Sequence, residues 1–405
     1  VCLEQGGWVP TDAFPTSEAD AHIHWQTDFH PDPGFRGLPE DYPINEDETP
    51  IAPLMYNAVG GSLIHWGAHF PRFHPSDFRV KTLEGVADDW PVSYEELEPY
   101  YDENDRMMGV SGLRGDPAYP EKPERPCPPL SIRKSGQLLA KAFDKLGWHW
   151  WASDTAISSV RHHDQDPDMG NFLRSFATTD LTYWPEALKS GAKLETYARV
   201  REITVDASGN ATGVLYYQDG ELKEQKAKAV VLACNGVGTA RLLLNSNSAL
   251  FPNGLANSSG LVGKCLMHHP VGSVMGIFDD DLGTEEGGPR GSTMLSQEFY
   301  ETNAEHDFIR GYDLQVLAYN DAPLSAAIGS LLGQKVAWGE GHHEEFNERF
   351  GHTIGITIMT EDLPEEHNAV TLDPELTDSN GIPAPKLNYT VSENTTKMLK
   401  HAVAR

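Results

Sequence analysis

The sequence predicts an α/β protein in which a doubly wound domain is joined to a second domain built on a mainly antiparallel sheet with flanking helices. Three observations predict it. The apolar run 229–234 is followed by a tight turn and a helical pattern over 235–245, the order of a doubly wound unit. From His269 onward, strand-like runs at 272–278, 353–359 and 369–372 alternate with loops and one helix-like stretch, the pattern of an antiparallel domain. Hydrophobic residues make up 39 % of 405 positions, enough for a sizeable core in a chain whose length suits two or three domains.

Taken in order, Val1-Cys2-Leu3-Glu4-Gln5-Gly6-Gly7 reads as a strand running into a turn. With no initiator Met and no basic leader, the chain is expected to be a fragment that begins inside a domain. Residues 10–53 are rich in Pro, Asp, Glu and Gly without periodicity, which predicts a long surface excursion acting as a lid. Ser93-Tyr94-Glu95-Glu96 is a capping box ahead of a helix to about Gly109. Ser135 opens a second helix, with Leu138, Leu139, Ala142, Phe143 and Leu146 on one face. Strands are predicted at 193–198, 202–205 and 213–218, with Asp219-Gly220 as a type I′ turn and 229–234 as the buried strand that follows. The last residues, 398–405, read as a helix without a capping glycine, so this end is expected to be cut as well.

Thirty-one Lys and Arg against 60 Asp and Glu give a formal charge of −29, which argues against nucleic acid or an anionic membrane as a direct partner. The longest weakly apolar stretch, 322–338, is broken by Pro323, Gly329 and Gly333, so no membrane span is expected. Cys2, Cys127, Cys234 and Cys265 form no C-x-x-C pair. Among 17 histidines, His343-Glu344-Glu345-Phe346-Asn347 lacks the second His of a zinc helix, and no metal site is expected. Gly260-Leu261-Val262-Gly263-Lys264 fails as a phosphate loop, because Ser258 and Cys265 stand where Gly and Ser or Thr are needed.

Three segments bear on cofactor chemistry. Gly236-Val237-Gly238-Thr239-Ala240-Arg241 follows a strand-like run and opens a helix, yet Arg241 replaces the third glycine of a dinucleotide fingerprint, so it reads as a plain turn. Glu4 stands at a strand end, where an acid accepts the ribose hydroxyls of an adenosine; the alternative is a solvated glutamate. In Asn57-Ala58-Val59-Gly60-Gly61-Ser62-Leu63-Ile64-His65-Trp66, two glycines and a serine let backbone amides approach a pyrophosphate, and the His-Trp pair suits the edge of an isoalloxazine ring.

These segments resemble the glucose–methanol–choline (GMC) family of FAD-dependent oxidoreductases, and within it the branch of gluconate 2-dehydrogenase flavoprotein subunits and pyranose 2-oxidase. Trp90-Pro91-Val92-Ser93, Tyr183-Trp184-Pro185-Glu186-Ala187, Ala198-Arg199-Val200 and Asp378-Ser379-Asn380-Gly381 fall in family order. The resemblance implies a doubly wound FAD-binding domain over 1–75 and 185–268, a cap segment over 76–184 and a substrate domain over 269–405. It implies that Glu4 holds the adenosine ribose, that Gly60, Gly61 and Ser62 lie along the pyrophosphate, and that Val200 meets the adenine. His65 and Trp66 would meet the flavin, with a covalent histidyl link at His65, and Ala233 and Asn235 would flank the same cofactor.

The activity implied is oxidation of a CH–OH group of a sugar, sugar acid or related alcohol by hydride transfer to flavin N5. A cytochrome or quinone is the implied acceptor, with an oxygen-using oxidase as the variant. Two departures stand out: no G-x-G-x-x-G precedes Glu4, and the family's terminal segment with its catalytic His and His or Asn partner is not matched. No catalytic residue is therefore expected within the 405 residues, and the chain alone is expected to be inactive. A non-catalytic acidic binding protein that retains the fold is the alternative from another class.

Overall fold

The computed structural model describes residues 1–10, 42–51, 53, 55–159, 176–282, 292–317 and 336–405. The strands are β1 (Cys2–Leu3), β2 (Asn45–Glu48), β3 (Trp151–Ala152), β4 (Leu194–Glu195), β5 (Arg199–Val205), β6 (Ala211–Gln218), β7 (Glu221–Lys226), β8 (Val271–Ile277), β9 (Ser292–Ser296), β10 (Tyr312–Leu317), β11 (Thr353–Thr360), β12 (Ala369–Thr377) and β13 (Pro383–Asn388). The α-helices are α1 (Val80–Glu84), α2 (Tyr94–Met107), α3 (Arg133–Leu146), α4 (Tyr183–Lys189), α5 (Asn235–Asn245), α6 (His342–Arg349) and α7 (Glu393–Ala404).

The capping box at Ser93 forms as its sequence predicts: Ser93 Oγ accepts from the Glu96 N–H, and Glu96 Oε2 accepts from the Ser93 N–H. The helix expected from Ser135 starts two residues earlier at Arg133, and it turns Ala140 and Phe143 into the core while Leu146 stays exposed. The meander β5-β6-β7 is antiparallel, joined at Asp219 (φ 55°) and Gly220 (φ 77°), the two left-handed residues a type I′ turn needs.

That turn also explains a correction. A two-residue hairpin forces the return strand to start at once, so β7, with its polar sequence Glu-Leu-Lys-Glu-Gln-Lys, pairs with β6. The predicted strand at 229–234 has no ladder partner among the described residues. Val230 and Leu232 turn into a core with Leu3, Ala198, Ile203 and Leu242, while Val231 is 88 % exposed. The parallel partner of β1 is β4, through Cys2↔Leu194 and Leu3↔Glu195, and not 229–234.

The second half is antiparallel as expected. Five strands lie in the order β3-β9-β10-β11-β8. One face of this sheet presents Met294, Leu314, Val316 and Ile358 to Ala140 and Phe143 of α3 and Met398 and Ala402 of α7. The period of two in β10 therefore places Asp313 and Gln315 on the other face. A third sheet, β12-β13-β2, joins β2 in parallel to β13. Where a loose excursion over 10–53 was expected, Tyr42 and Ile44 are buried against Met55, Val237, Ala240 and Leu387. Most of that predicted lid, 11–41, lies outside the described residues.

Candidate functional site

Glu4 follows β1, held by Glu4 N–H to Glu195 O at 2.9 Å and Ala198 N–H to Glu4 O at 2.9 Å. The chain then turns on itself: Gly6 N–H donates to Glu4 Oε1 at 2.8 Å. Burial pushes the Glu4 carboxyl above the usual range, and the N–H groups of Gly6 and Gln5 partly oppose that. A Cβ on Gly6 would sit 2.0 Å from Asn57 O, so only glycine lets the two chain segments meet. Gly7 bridges Ala58 in parallel, with Val59 N–H donating to Gly7 O at 2.9 Å. The end of β1 is thereby tied to the glycine turn at 60–61.

Both turn glycines are left-handed, Gly60 at φ 102° and Gly61 at φ 60°, and they lead into a 3-10 helix, Gly61–His65. A Cβ on Gly60 would meet Asp180 Oδ1 at 3.0 Å and Ile64 Cδ1 at 3.1 Å, whereas one on Gly61 would meet nothing within 4 Å. The turn is thus packed on one flank and open on the other. Gly61 N–H is committed to Ala58 O at 2.8 Å, and Ser62 Oγ accepts from Tyr56 N–H at 3.1 Å. Trp66 Nε1 donates to Ala177 O at 3.2 Å and its ring meets Phe70 edge-on at 5.7 Å. The side chain of His65 lies outside what the structure describes.

Val200, on β5, packs on the Ala198, Ile203 and Tyr216 cluster. Ala233 and Asn235 are exposed at the start of α5, where Asn235 (φ 58°) accepts the Gly238 N–H at 2.8 Å and donates to Met55 Sδ at 3.3 Å. Leu232, two residues before Cys234, packs with Leu3, so this turn lies by the end of β1, and burial pushes the Cys234 thiol up against the opposing Ala233 backbone hydrogen bond. Arg241 accounts for the missing third glycine. Its guanidinium is buried, donating to Pro383 O at 2.7 Å, Ile382 O at 3.0 Å and Asp378 Oδ2 at 2.9 Å, so α5 is bolted to the β12-β13 hairpin. Among the described residues no group of three or more His, Cys, Asp or Glu is placed to hold a metal ion.

Sequence reasoning missed a second polar group. His69 follows the glycine turn by eight residues, and its Nε2 lies 3.9 Å from Asp313 Oδ2 on β10. Ser153 Oγ lies 3.2 Å from His69 Nδ1, and Gln315 Nε2 donates to Asp313 Oδ1 at 3.2 Å. Burial holds the imidazole down to about 4 and pushes the Asp313 carboxyl up to about 7. The signal was present: in Tyr312-Asp313-Leu314-Gln315-Val316, alternation puts an acid and an amide together on one face of a buried strand.

The sequence profile described as GMC oxidoreductase matches residues 57–271. The chain is 42 % identical to 2-methyl-1,2-propanediol dehydrogenase of Mycolicibacterium austroafricanum, over 100 % of this chain and 74 % of that protein. It is 31 % identical to the fructose dehydrogenase large subunit of Gluconobacter japonicus, over 87 % of this chain and 65 % of the relative. The gluconate 2-dehydrogenase flavoprotein of Pantoea cypripedii is similar at 25 % identity, so the likeness is not specifically to the gluconate dehydrogenase branch. Among solved structures, formate oxidase of Aspergillus oryzae RIB40 superposes at TM-score 0.59 and 14 % identity, over 99 % of this chain and 74 % of that one. Pyridoxine 4-oxidase of Mesorbium loti does so at 0.59 and 13 %. At these identities the structural likeness is one of fold.

Proposed function

This chain belongs to the GMC oxidoreductase family, and from that premise we propose that it serves an FAD-dependent oxidation of a CH–OH group in an alcohol, diol or sugar-type substrate. The single observation that carries the reading is the convergence of three chain segments: the end of β1 with Glu4, the left-handed turn at Gly60-Gly61, and the start of α5. These residues suit the cofactor. A half-buried carboxylate at a strand end accepts ribose hydroxyls, and the open flank at Gly61 and Ser62 admits a pyrophosphate close to the backbone. When bound, FAD supplies the redox chemistry by accepting a hydride from the alcohol carbon.

The roles assigned to this chain are binding and orientation. Glu4 would fix the adenosine end, Val200 would wall the adenine, Ala233 and Asn235 would line the same cleft, and Trp66, its indole locked to Ala177 O, would stand by the ring end. His65, next to Trp66 in the chain, is the proposed point of covalent attachment. The acceptor in this reading would be a cytochrome or quinone, with oxygen as the alternative.

The test is the visible spectrum of the purified protein under anaerobic conditions. A flavin band that bleaches on adding a primary alcohol or diol supports the proposal. A colourless protein that takes up no added FAD overturns it in favour of an acidic binding protein that keeps the fold.

A further inference from the structure

We propose that His69 and Asp313 form a receptor for the second, non-reacting hydroxyl of a neutral vicinal diol or polyol. The inference rests on the alcohol-oxidising reading above and names its substrate class. The pair joins two parts of the molecule: His69 belongs to the same segment as the Gly60-Gly61 turn and Trp66, and Asp313 projects from the middle strand of the five-stranded sheet, on the face away from its apolar core.

The geometry fits one small group. His69 Nε2 is sheltered and has no hydrogen-bond partner, and the 3.9 Å to Asp313 Oδ2 is too long for a direct bond. A single oxygen at about 2.8 Å from both atoms closes that triangle. Each group is held from behind, His69 by Ser153 and Asp313 by Gln315, so neither swings to close the gap alone. The side chains are 20 % and 12 % exposed while His69 Nε2 itself is closed to solvent, so an unpaired nitrogen there is costly.

The chemistry selects the group. A neutral imidazole and a carboxyl that retains its proton near neutrality can offer one donor and one acceptor, and a hydroxyl is both at once. A substrate carboxylate only accepts and would face Asp313 as it ionises. Among the described residues Asp313 has no Lys or Arg within ion-pair distance to relieve that repulsion. The pair thus favours neutral diols and polyols over sugar acids.

The experiment compares propane-1,2-diol with propan-1-ol on the flavin-loaded protein, using an artificial acceptor. In the unaltered protein the diol is expected to have the lower KM. Asp313→Leu should raise the diol KM about tenfold or more with kcat little changed, and leave propan-1-ol as it was. Asp313→Asn, which keeps a donor and an acceptor, should recover most of the loss, and His69→Gln should show an intermediate effect. Equal losses for both alcohols, no loss for either, or glycerate competing as well as the diol would overturn the proposal.

A protein that does not bleach with any alcohol refutes the proposed activity instead, and the receptor is then read by thermal shift. A rise in Tm with propane-1,2-diol that is absent with propan-1-ol, absent in Asp313→Leu and largely kept in Asp313→Asn supports the receptor. The same rise in Asp313→Leu as in the unaltered protein refutes it.

Discussion

Arg241 Nη2 lies 2.9 Å from Asp378 Oδ2, an ion pair that spans 137 residues of sequence with both groups out of solvent. Asp378 also faces Arg199 at 3.7 Å and accepts the N–H groups of Asn380 and Ile382. Removing it takes this counter-charge from two buried guanidinium groups, which keep neutral acceptors, so Asp378→Ala should cost about 3–5 kcal/mol in urea unfolding. Arg241→Gly restores the letter of a dinucleotide fingerprint, but it is expected to lower stability and bring no gain in FAD uptake, measured by flavin absorbance per chain. Better flavin uptake would mean that α5 is a phosphate cradle after all.

The glycines of the proposed cofactor cleft should separate in their tolerance. Gly6→Ala drives a Cβ to 2.0 Å from a backbone oxygen that cannot move cheaply, and a loss above about 3 kcal/mol is expected. Gly61→Ala meets no atom within 4 Å and pays only for its left-handed φ of 60°, about 1 kcal/mol. Thermal denaturation of the two variants side by side checks the order, and a Gly61→Ala as damaging as Gly6→Ala would contradict it.

The parts of the fold that were legible are those written by local rules. The Ser93 capping box, the Asp219-Gly220 turn and helix α5 each follow from a few adjacent residues, and the runs that form β8 and β11 were legible as strands although not as partners. The strand misplaced at 229–234 shows where local reading fails. Its apolar residues serve side-chain packing with Leu3 and Leu242, while the ladder goes to the polar β7 because the turn dictates it. Gly60, Gly61 and Glu4, on which the proposed cofactor cleft rests, stood out in the sequence, and the structure ties the end of β1 to the glycine turn through Gly7 and Ala58. His69 and Asp313, 244 positions apart, meet only through the tertiary fold, so no spacing rule could pair them.

Covalent attachment at His65 predicts that acid-precipitated protein stays yellow and that His65→Ala releases its flavin to the supernatant. Glu4→Ala should then slow flavin incorporation, since a charge-assisted hydrogen bond is worth about 1.5–3 kcal/mol, while final occupancy changes little. Free FAD in the supernatant of the unaltered protein would rule the linkage out. An unchanged incorporation rate would make Glu4 a strand end and nothing more.

The opposite displacements of His69 and Asp313 should cancel in the pH dependence of stability until one partner is removed. His69 titrates near 4 when folded and at 6.5 in its ordinary state, so the unfolded chain binds more protons between those values. Its contribution is fully present above 6.5 and lost as pH falls through about 4. Asp313 titrates near 7 when folded and at 3.8 ordinarily, so here the folded chain binds more protons. Its contribution is fully present below 3.8 and lost as pH rises through about 7. Glu361, raised to about 7 by burial against the pull of Arg310, adds a slope common to every variant and drops out of comparisons between them. Between pH 4.5 and 6.5, Asp313→Asn should therefore gain stability with rising pH relative to the unaltered protein, and His69→Gln should lose it. Each slope can change by at most about 1.4 kcal/mol per pH unit, the limit for a single proton. Urea unfolding at half-unit steps reads the difference. Three parallel curves would mean that neither group is held in its neutral form by the fold, which would also remove the donor and acceptor pair on which the hydroxyl receptor depends.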